Sequence, residues 1–152
     1  MTKVEKRKTT TKRKIWAEKM LPDKVAVVKR IDADFADIPA GSTMLIATPA
    51  IVDEYIRQIP KGHFTDLKQM RKDLAATHNA EYCCPVTAGI FLRIVSENAH
   101  EELEKGKSIN KITPFWRVMS VKSPAANKLS FGTDILIQQQ KKKALSSSHF
   151  VK

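Results

Sequence analysis

The apolar positions along this chain change their period several times, and those changes mark out its elements. From Thr48 the pattern is helical: Val52, Tyr55, Ile56 and Ile59 recur at the i, i+3, i+4, i+7 spacing of one helix face. Thr48 suits the cap and Pro49 the first helical position, with Asp53 and Glu54 early in the helix. Pro60-Lys61-Gly62 ends it. A second helix is predicted from Thr65 or Asp66 to about His78-Asn79, with Leu67, Met70 and Leu74 as its buried stripe. Pro85 opens a third helix, with Ile90, Phe91, Ile94 and Val95 inward, a more polar stretch over 98–104, and Gly106 as its stop.

Outside these helices the period is less clean. Trp16, Met20 and Leu21 suggest a short helix, and residues 25–31 a strand. Gly41-Ser42 leads into a second strand over 44–47. Further on, ITPFWRVM (residues 112–119) reads as an apolar loop entering a strand, and 120–129 as a turn-rich hairpin. A last helix is predicted over 134–145, ahead of a tail that frays. There is no internal repeat. The fold class predicted is α/β (α+β), mainly helical with short strands.

Composition adds two constraints. With 152 residues, 42% hydrophobic and 28% charged, the chain has the make-up of a globular protein with a real core. Its net charge of +11 favours anionic partners without choosing among them. The charge is uneven: residues 1–14 hold seven Lys and Arg against Glu5, or +6 of that total. This stretch reads as a disordered basic arm, either a solubilising tail or a nucleic-acid contact through Lys12, Arg13 and Lys14. It lacks the apolar centre of a secretory signal. The expected organisation is arm 1–14, an extension 15–47 packing on the domain, a domain over 48–145, and a tail 146–152. No apolar run is long enough to span a membrane. Cys83 and Cys84 are adjacent, which rules out a disulfide framework and suits a reduced, cytoplasmic setting.

Candidate chemistry is sparse. Cys84 precedes the Pro85 helix, where a helix dipole lowers a thiol's pKa, so it is a candidate nucleophile. The competing reading is a pair of small buried residues. His63, His78, His100 and His149 are scattered and show no metal-ligand spacing, so no metal is expected. The five glycines are dispersed, and without a phosphate-binding loop no cofactor is expected. Lys68, Arg71 and Lys72 fall on the polar face of the second helix and Arg93 on the third, as candidate phosphate contacts. The run Lys141-Lys142-Lys143 is either a solvated face or a further phosphate contact.

ITPFWRVM resembles the Pro-Cys-His-Arg-Val/Ile signature of the O6-alkylguanine-DNA alkyltransferases: Pro114, Arg117 and Val118 match it. IPKGHFTDLKQMRKDL (59–74) is similar to that family's opening motif, CPVTAGIF (84–91) to its recognition helix, and Phe131-Gly132 with Gln138–Gln140 to its closing segment. The resemblance runs over about 48–145 and implies a winged helix-turn-helix-like domain of the alkyltransferase C-terminal type. It places Phe115 where the family has its nucleophile and Trp116 where it has its general base. A benzyl ring cannot accept an alkyl group by displacement, and an indole N–H cannot take a proton. The family's nucleotide-rotating Tyr corresponds to Leu67 and its gap-filling Arg to Val86, and no carboxylate follows Asp134. By the same resemblance Arg117 bonds backbone carbonyls.

Phe115 and Trp116 are therefore expected to be either inert core aromatics or an aromatic wall for stacking, in a pocket with Pro114 and Arg117. The function expected is a catalytically inactive, alkyltransferase-like protein that binds DNA with little sequence preference, linked to DNA repair or regulation. One alternative is a protein-interaction domain that reuses the fold. Another is a residual thiol enzyme using Cys84.

Overall fold

The computed structural model describes residues 16–21 and 23–141. Lys12, Arg13 and Lys14 of the arm, the end of the last predicted helix and the tail lie outside the described residues. The described chain is mixed α/β, a set of helices around a small sheet. Helix α1 is Trp16–Lys19, and strands β1 (Val27–Arg30) and β2 (Thr43–Ile46) follow. Helices α2 (Pro49–Arg57) and α3 (Leu67–Thr77) come next, then strand β3 (Tyr82–Cys83) and helix α4 (Pro85–Glu104). A 3₁₀ turn at Phe115–Arg117, helix α5 (Pro124–Asn127) and helical residues 134–141 (α6) complete it.

The cap chemistry places α2 and α3 where the sequence puts them. The Thr48 hydroxyl accepts from the Ile51 amide at 3.2 Å, and Pro49 takes the first helical position. Val52 and Ile56 are buried. Asp66 caps α3 by accepting from the Gln69 amide at 2.8 Å, and Met70, Leu74 and Ala75 face the core. Asn79 just beyond α3 has φ +59°, the left-handed stop that Asn tolerates.

Between α3 and α4 the chain forms β3 instead of a plain turn. β2 pairs antiparallel with β1 and parallel with β3, with Leu45 opposite Cys83. Two residues of strand carry no readable alternation, so sequence alone does not show β3. Leu45 and Cys83 belong to the main core, whereas Met44 and Cys84 pack with Ile31 and Ile38 in a smaller cluster.

Helix α4 is the centre of the molecule. Ala88, Leu92, Val95 and Ala99 are buried along one side, and their spacing makes a continuous stripe. Val86, Ile90, Arg93 and Glu97 follow one another along the opposite side. Ile90 is therefore not inward as predicted. It is 51% exposed, because it lies about 200° around the helix from Ala88. Glu97 is 2% exposed and accepts from the Ser130 amide at 2.7 Å and the Ser130 hydroxyl at 2.5 Å. The predicted strand in 112–119 and hairpin over 120–129 are also corrected. The first is the 3₁₀ turn, and the second holds α5, capped by the Ser123 hydroxyl on the Ala126 amide. Serine followed by proline at the first helical position is a helix start, and here that local signal wins over the turn-rich composition. Among the described residues no helix is long and apolar enough to cross a membrane.

Arg71 ties the two ends of this frame together. Its Nε and Nη2 donate to the Cys83 carbonyl at 3.0 and 2.9 Å, while Nη1 and Nη2 donate to the Asp37 carboxylate at 3.0 and 2.8 Å. One guanidinium thus joins α3, β3 and the loop after β1. Its hydrogen bonds hold the Asp37 carboxyl below the usual aspartate range. Arg71→Ala is expected to cost about 1–3 kcal/mol by removing the donors to Cys83 and Asp37. Asp37→Ala is expected to cost less than about 1 kcal/mol, because the carboxylate is exposed. The Asp37 share is present above its unfolded value near pH 4 and is lost as pH falls through the lower folded value. Urea denaturation of both variants at neutral and acid pH checks this. Equal costs, or an Asp37 effect that persists at acid pH, contradict it.

Candidate functional site

Two surface concavities flank the 112–119 segment, and they share no lining residue. The larger is a groove of about 850 Å³ beside the first half of α4. Leu67 of α3 and Val86, Gly89 and Ile90 of α4 contribute apolar surface, while Pro124 and Ala125 of α5 stand on the other side. Val86 is 53% exposed, so this apolar strip is open. It exists because the side of α4 that buries Glu97 near its middle is left uncovered nearer its start.

Cations surround the strip. Lys19, Lys68, Arg93 and Lys128 line the groove against the single carboxylate of Asp66, which is engaged as the α3 cap. Trp16 closes one end: the Lys19 Nζ lies 4.1 Å from its ring centroid and the Arg93 guanidinium 5.5 Å. Arg93 Nε also donates to Glu97 at 3.5 Å. Lys68 and Lys128 are exposed.

The sequence-derived candidates separate in space. Lys68 and Arg93 meet in the groove, and Lys72 is exposed one turn further along α3. Arg71 does not join them. Its guanidinium is spent on Cys83 and Asp37, so its sequence reading as a phosphate contact is replaced by a structural one. Trp16, Lys19 and Lys128 were missed. Their only signal was charge or aromaticity in segments with no period, and nothing local shows that α1 and α5 both reach α4.

The ITPFWRVM segment is pinned from several directions. Phe115 is fully buried, edge-on to Trp116 (5.3 Å between centroids) and Phe131 (5.7 Å). Gln140 of α6 donates to the Trp116 and Met119 carbonyls at 3.2 and 2.7 Å. Arg117 Nη1 donates to the Ile59 carbonyl at 2.8 Å, and its own carbonyl accepts from the Thr65 amide at 2.7 Å. Burial pushes the Arg117 pKa down. The Thr113 hydroxyl donates to Asp53. Phe115 is thus core and not a stacking wall, while Pro114, Trp116 and Arg117 line the smaller concavity, of about 420 Å³.

Cys84 takes the position before α4 without a side-chain cap hydrogen bond and is 4% exposed among Ile31, Ile38 and Met44. Its neighbour Cys83 is also buried, and desolvation pushes that thiol up to about 11, away from the thiolate. Neither cysteine lines the groove or the smaller concavity. Among the described residues no three His, Cys, Asp or Glu side chains gather as a metal site.

Compared with known protein families, with curated proteins and with solved structures, the chain has no match.

Two outcomes follow from this geometry. Incubation with DNA carrying labelled O6-methylguanine is expected to leave no label on the protein, and stoichiometric transfer would contradict that. Phe115→Ala is expected to cost roughly 3–5 kcal/mol, since it empties a packed site. Thermal unfolding reads this, and a Phe115→Ala protein of wild-type stability shows that the ring is not core.

Proposed function

We propose that this chain is a non-catalytic DNA-binding protein that grips the duplex through the groove beside α4. The observation that carries this reading is the ring of Lys19, Lys68, Arg93 and Lys128 around the open apolar pair Val86 and Ile90. Cations at several points of a rim match phosphates at several points of a backbone, and apolar side chains between them suit a widened minor groove. Three of the four cations lining the groove are lysines, which meet phosphate as point charges and lack a planar fork for a base edge. Arg71 is tied internally, and Arg93 has its Nε on Glu97 and its guanidinium beside Trp16, so weak sequence selectivity is expected.

The resemblance to the alkyltransferase C-terminal domain supports this reading from the sequence side. In it, α3 and α4 act as the helix-turn-helix pair of a winged-helix-like domain, and Leu67 and Val86 in the groove occupy the family's base-handling positions. The protein would then act in the cytoplasm, in DNA repair or its regulation. A second reading, an acidic amphipathic segment of a partner protein in the groove, is favoured by the exposure of Val86 and Ile90.

Fluorescence anisotropy with a labelled duplex over a range of salt tests both. Lys68→Ala and Lys128→Ala should each weaken binding alike on unrelated sequences and reduce the log–log salt slope by about 0.9. Deletion of residues 1–14 adds the arm's share. If the lysine variants bind as wild type and only the deletion weakens binding, contact is made by the arm and the groove reading fails. If no duplex binds at low salt, the partner-segment reading takes its place.

A further inference from the structure

Strand β1 is the least covered element of the sheet. It forms one edge and, among the described residues, pairs only with β2. Residues 27–30 are all exposed, with Val27 at 50% and Val28 at 42%, and Val25 just before them stands at 77%. Leu45, opposite Val28, is fully buried, so the core stops at β2. The Ile31 amide donates to the Ser42 carbonyl at 3.0 Å, which aims it toward the β2 side. Amide directions alternate along a strand, so Val28 and Arg30 turn their N–H and C=O groups to the open edge. Such an edge is a template for another strand. The protections that block pairing, a proline or a charge, do not fall within Val25-Ala26-Val27-Val28.

Charge selects the occupant. With a net charge of +11, two copies of this chain repel each other overall, and they meet at least cost where the surface is neutral. Residues 21–35 are neutral: Lys24, Lys29 and Arg30 balance Asp23, Asp32 and Asp34. Arg30 is also turned aside, its guanidinium donating to the Gly41 carbonyl. The register is selective as well. Two antiparallel copies of β1 pair only where outward-facing residues meet outward-facing residues. With the two-fold axis at Val28, Val28 meets its own copy, Lys29 meets Val27 and Arg30 meets Ala26, so all of β1 is used. Lys24 then comes toward Asp32. An axis at Val27 sets Lys24 against Arg30, and one at Ala26 sets Arg30 against Pro22, which has no N–H to offer.

We propose that β1 is a self-association edge: a second copy of this chain pairs with it antiparallel, about a two-fold axis at Val28, and joins the two sheets into one. The open backbone groups of Val28 and Arg30 supply the hydrogen bonds, and the exposed valines supply apolar surface that pairing covers. This interface does not depend on the DNA reading, because the groove shares none of its residues.

Sedimentation equilibrium of the full-length chain, free of nucleic acid and from micromolar to submillimolar concentration, tests it. The mass should rise from the 17.1 kDa of one chain to twice that value. Val28→Glu sets two like charges face to face at an exposed position, and with its fold checked by circular dichroism it should weaken association by about tenfold or more. Val86→Glu, in the groove, should leave association unchanged. Val28→Cys tests the register, because residues that exchange both hydrogen bonds stand about 5.5 Å apart at Cα, within disulfide reach. Treated with oxidised glutathione, it should give a cross-linked dimer on a non-reducing gel. Val25→Cys, more exposed but distant from its own copy in this register, should not. A monomer throughout the concentration range overturns the proposal and leaves the edge to an extended segment of another protein. The proposal is equally overturned if Val28→Glu associates as wild type, if only Val86→Glu dissociates the dimer, or if Val25→Cys cross-links as readily as Val28→Cys.

Discussion

Helix α4 has to be covered on two sides, and the rest of the described chain is arranged around that need. Its stripe of Ala88, Leu92, Val95 and Ala99 is buried in the main core together with Val52 and Ile56 of α2 and Met70 and Leu74 of α3. Its opposite side carries Glu97, a carboxylate that cannot be buried without donors. The turn at Ser130 supplies an amide and a hydroxyl, and Arg93 adds its Nε. That solution covers the helix near its middle and leaves Val86 and Ile90 open. The groove is therefore the part of a two-sided helix that its cover does not reach.

The basic residues divide by chemistry into those that hold the fold and those that face outward. Arg71 and Arg117 turn inward, because a planar guanidinium can bond a carbonyl with one edge and still offer donors elsewhere. Arg71 finds Asp37 for its remaining donors, and Arg117, among the described residues, donates to the Ile59 carbonyl. Lys68 and Lys128 stay exposed on flexible stems. A net charge of +11 thus overstates any one binding surface. Residues 1–14 hold +6 of it, part of the rest is internal fastening, and only some of the outward cations line the groove or the smaller cleft.

The ITPFWRVM segment shows what happens when an apolar turn is filled instead of hollowed. Phe115 meets both Trp116 and Phe131 edge-on and has no contact with solvent. Phe131 in turn stacks on His100 of α4, 4.0 Å away and nearly parallel, which carries the packing from the turn to the central helix. The segment's carbonyls are held by Gln140 and its flank by Arg117. Such a site is rigid and occupied, and chemistry at its centre has no room for a substrate. The two concavities lie to its sides.

What the chain determined by itself is local. Thr48-Pro49 and Asp66 fixed two helix starts, Val52 and Ile56 or Met70 and Leu74 fixed the buried faces, and Pro85 fixed where α4 begins. Hydrogen bonds and periods of this kind act within three or four residues, so they are written in adjacent letters. The fate of Phe115 and the carbonyl-bonding role of Arg117 were also legible, the first as one of two readings from bulk and the second from a motif. Ile90, Arg71 and α5 were not. An isoleucine is apolar wherever it sits, and only the position of Ser130 decides which side of α4 is covered. An arginine on a polar face becomes a fastening only because Asp37, distant in sequence, lies beside Cys83. The groove and the cleft belong wholly to the tertiary structure, because each gathers residues from segments that no period connects.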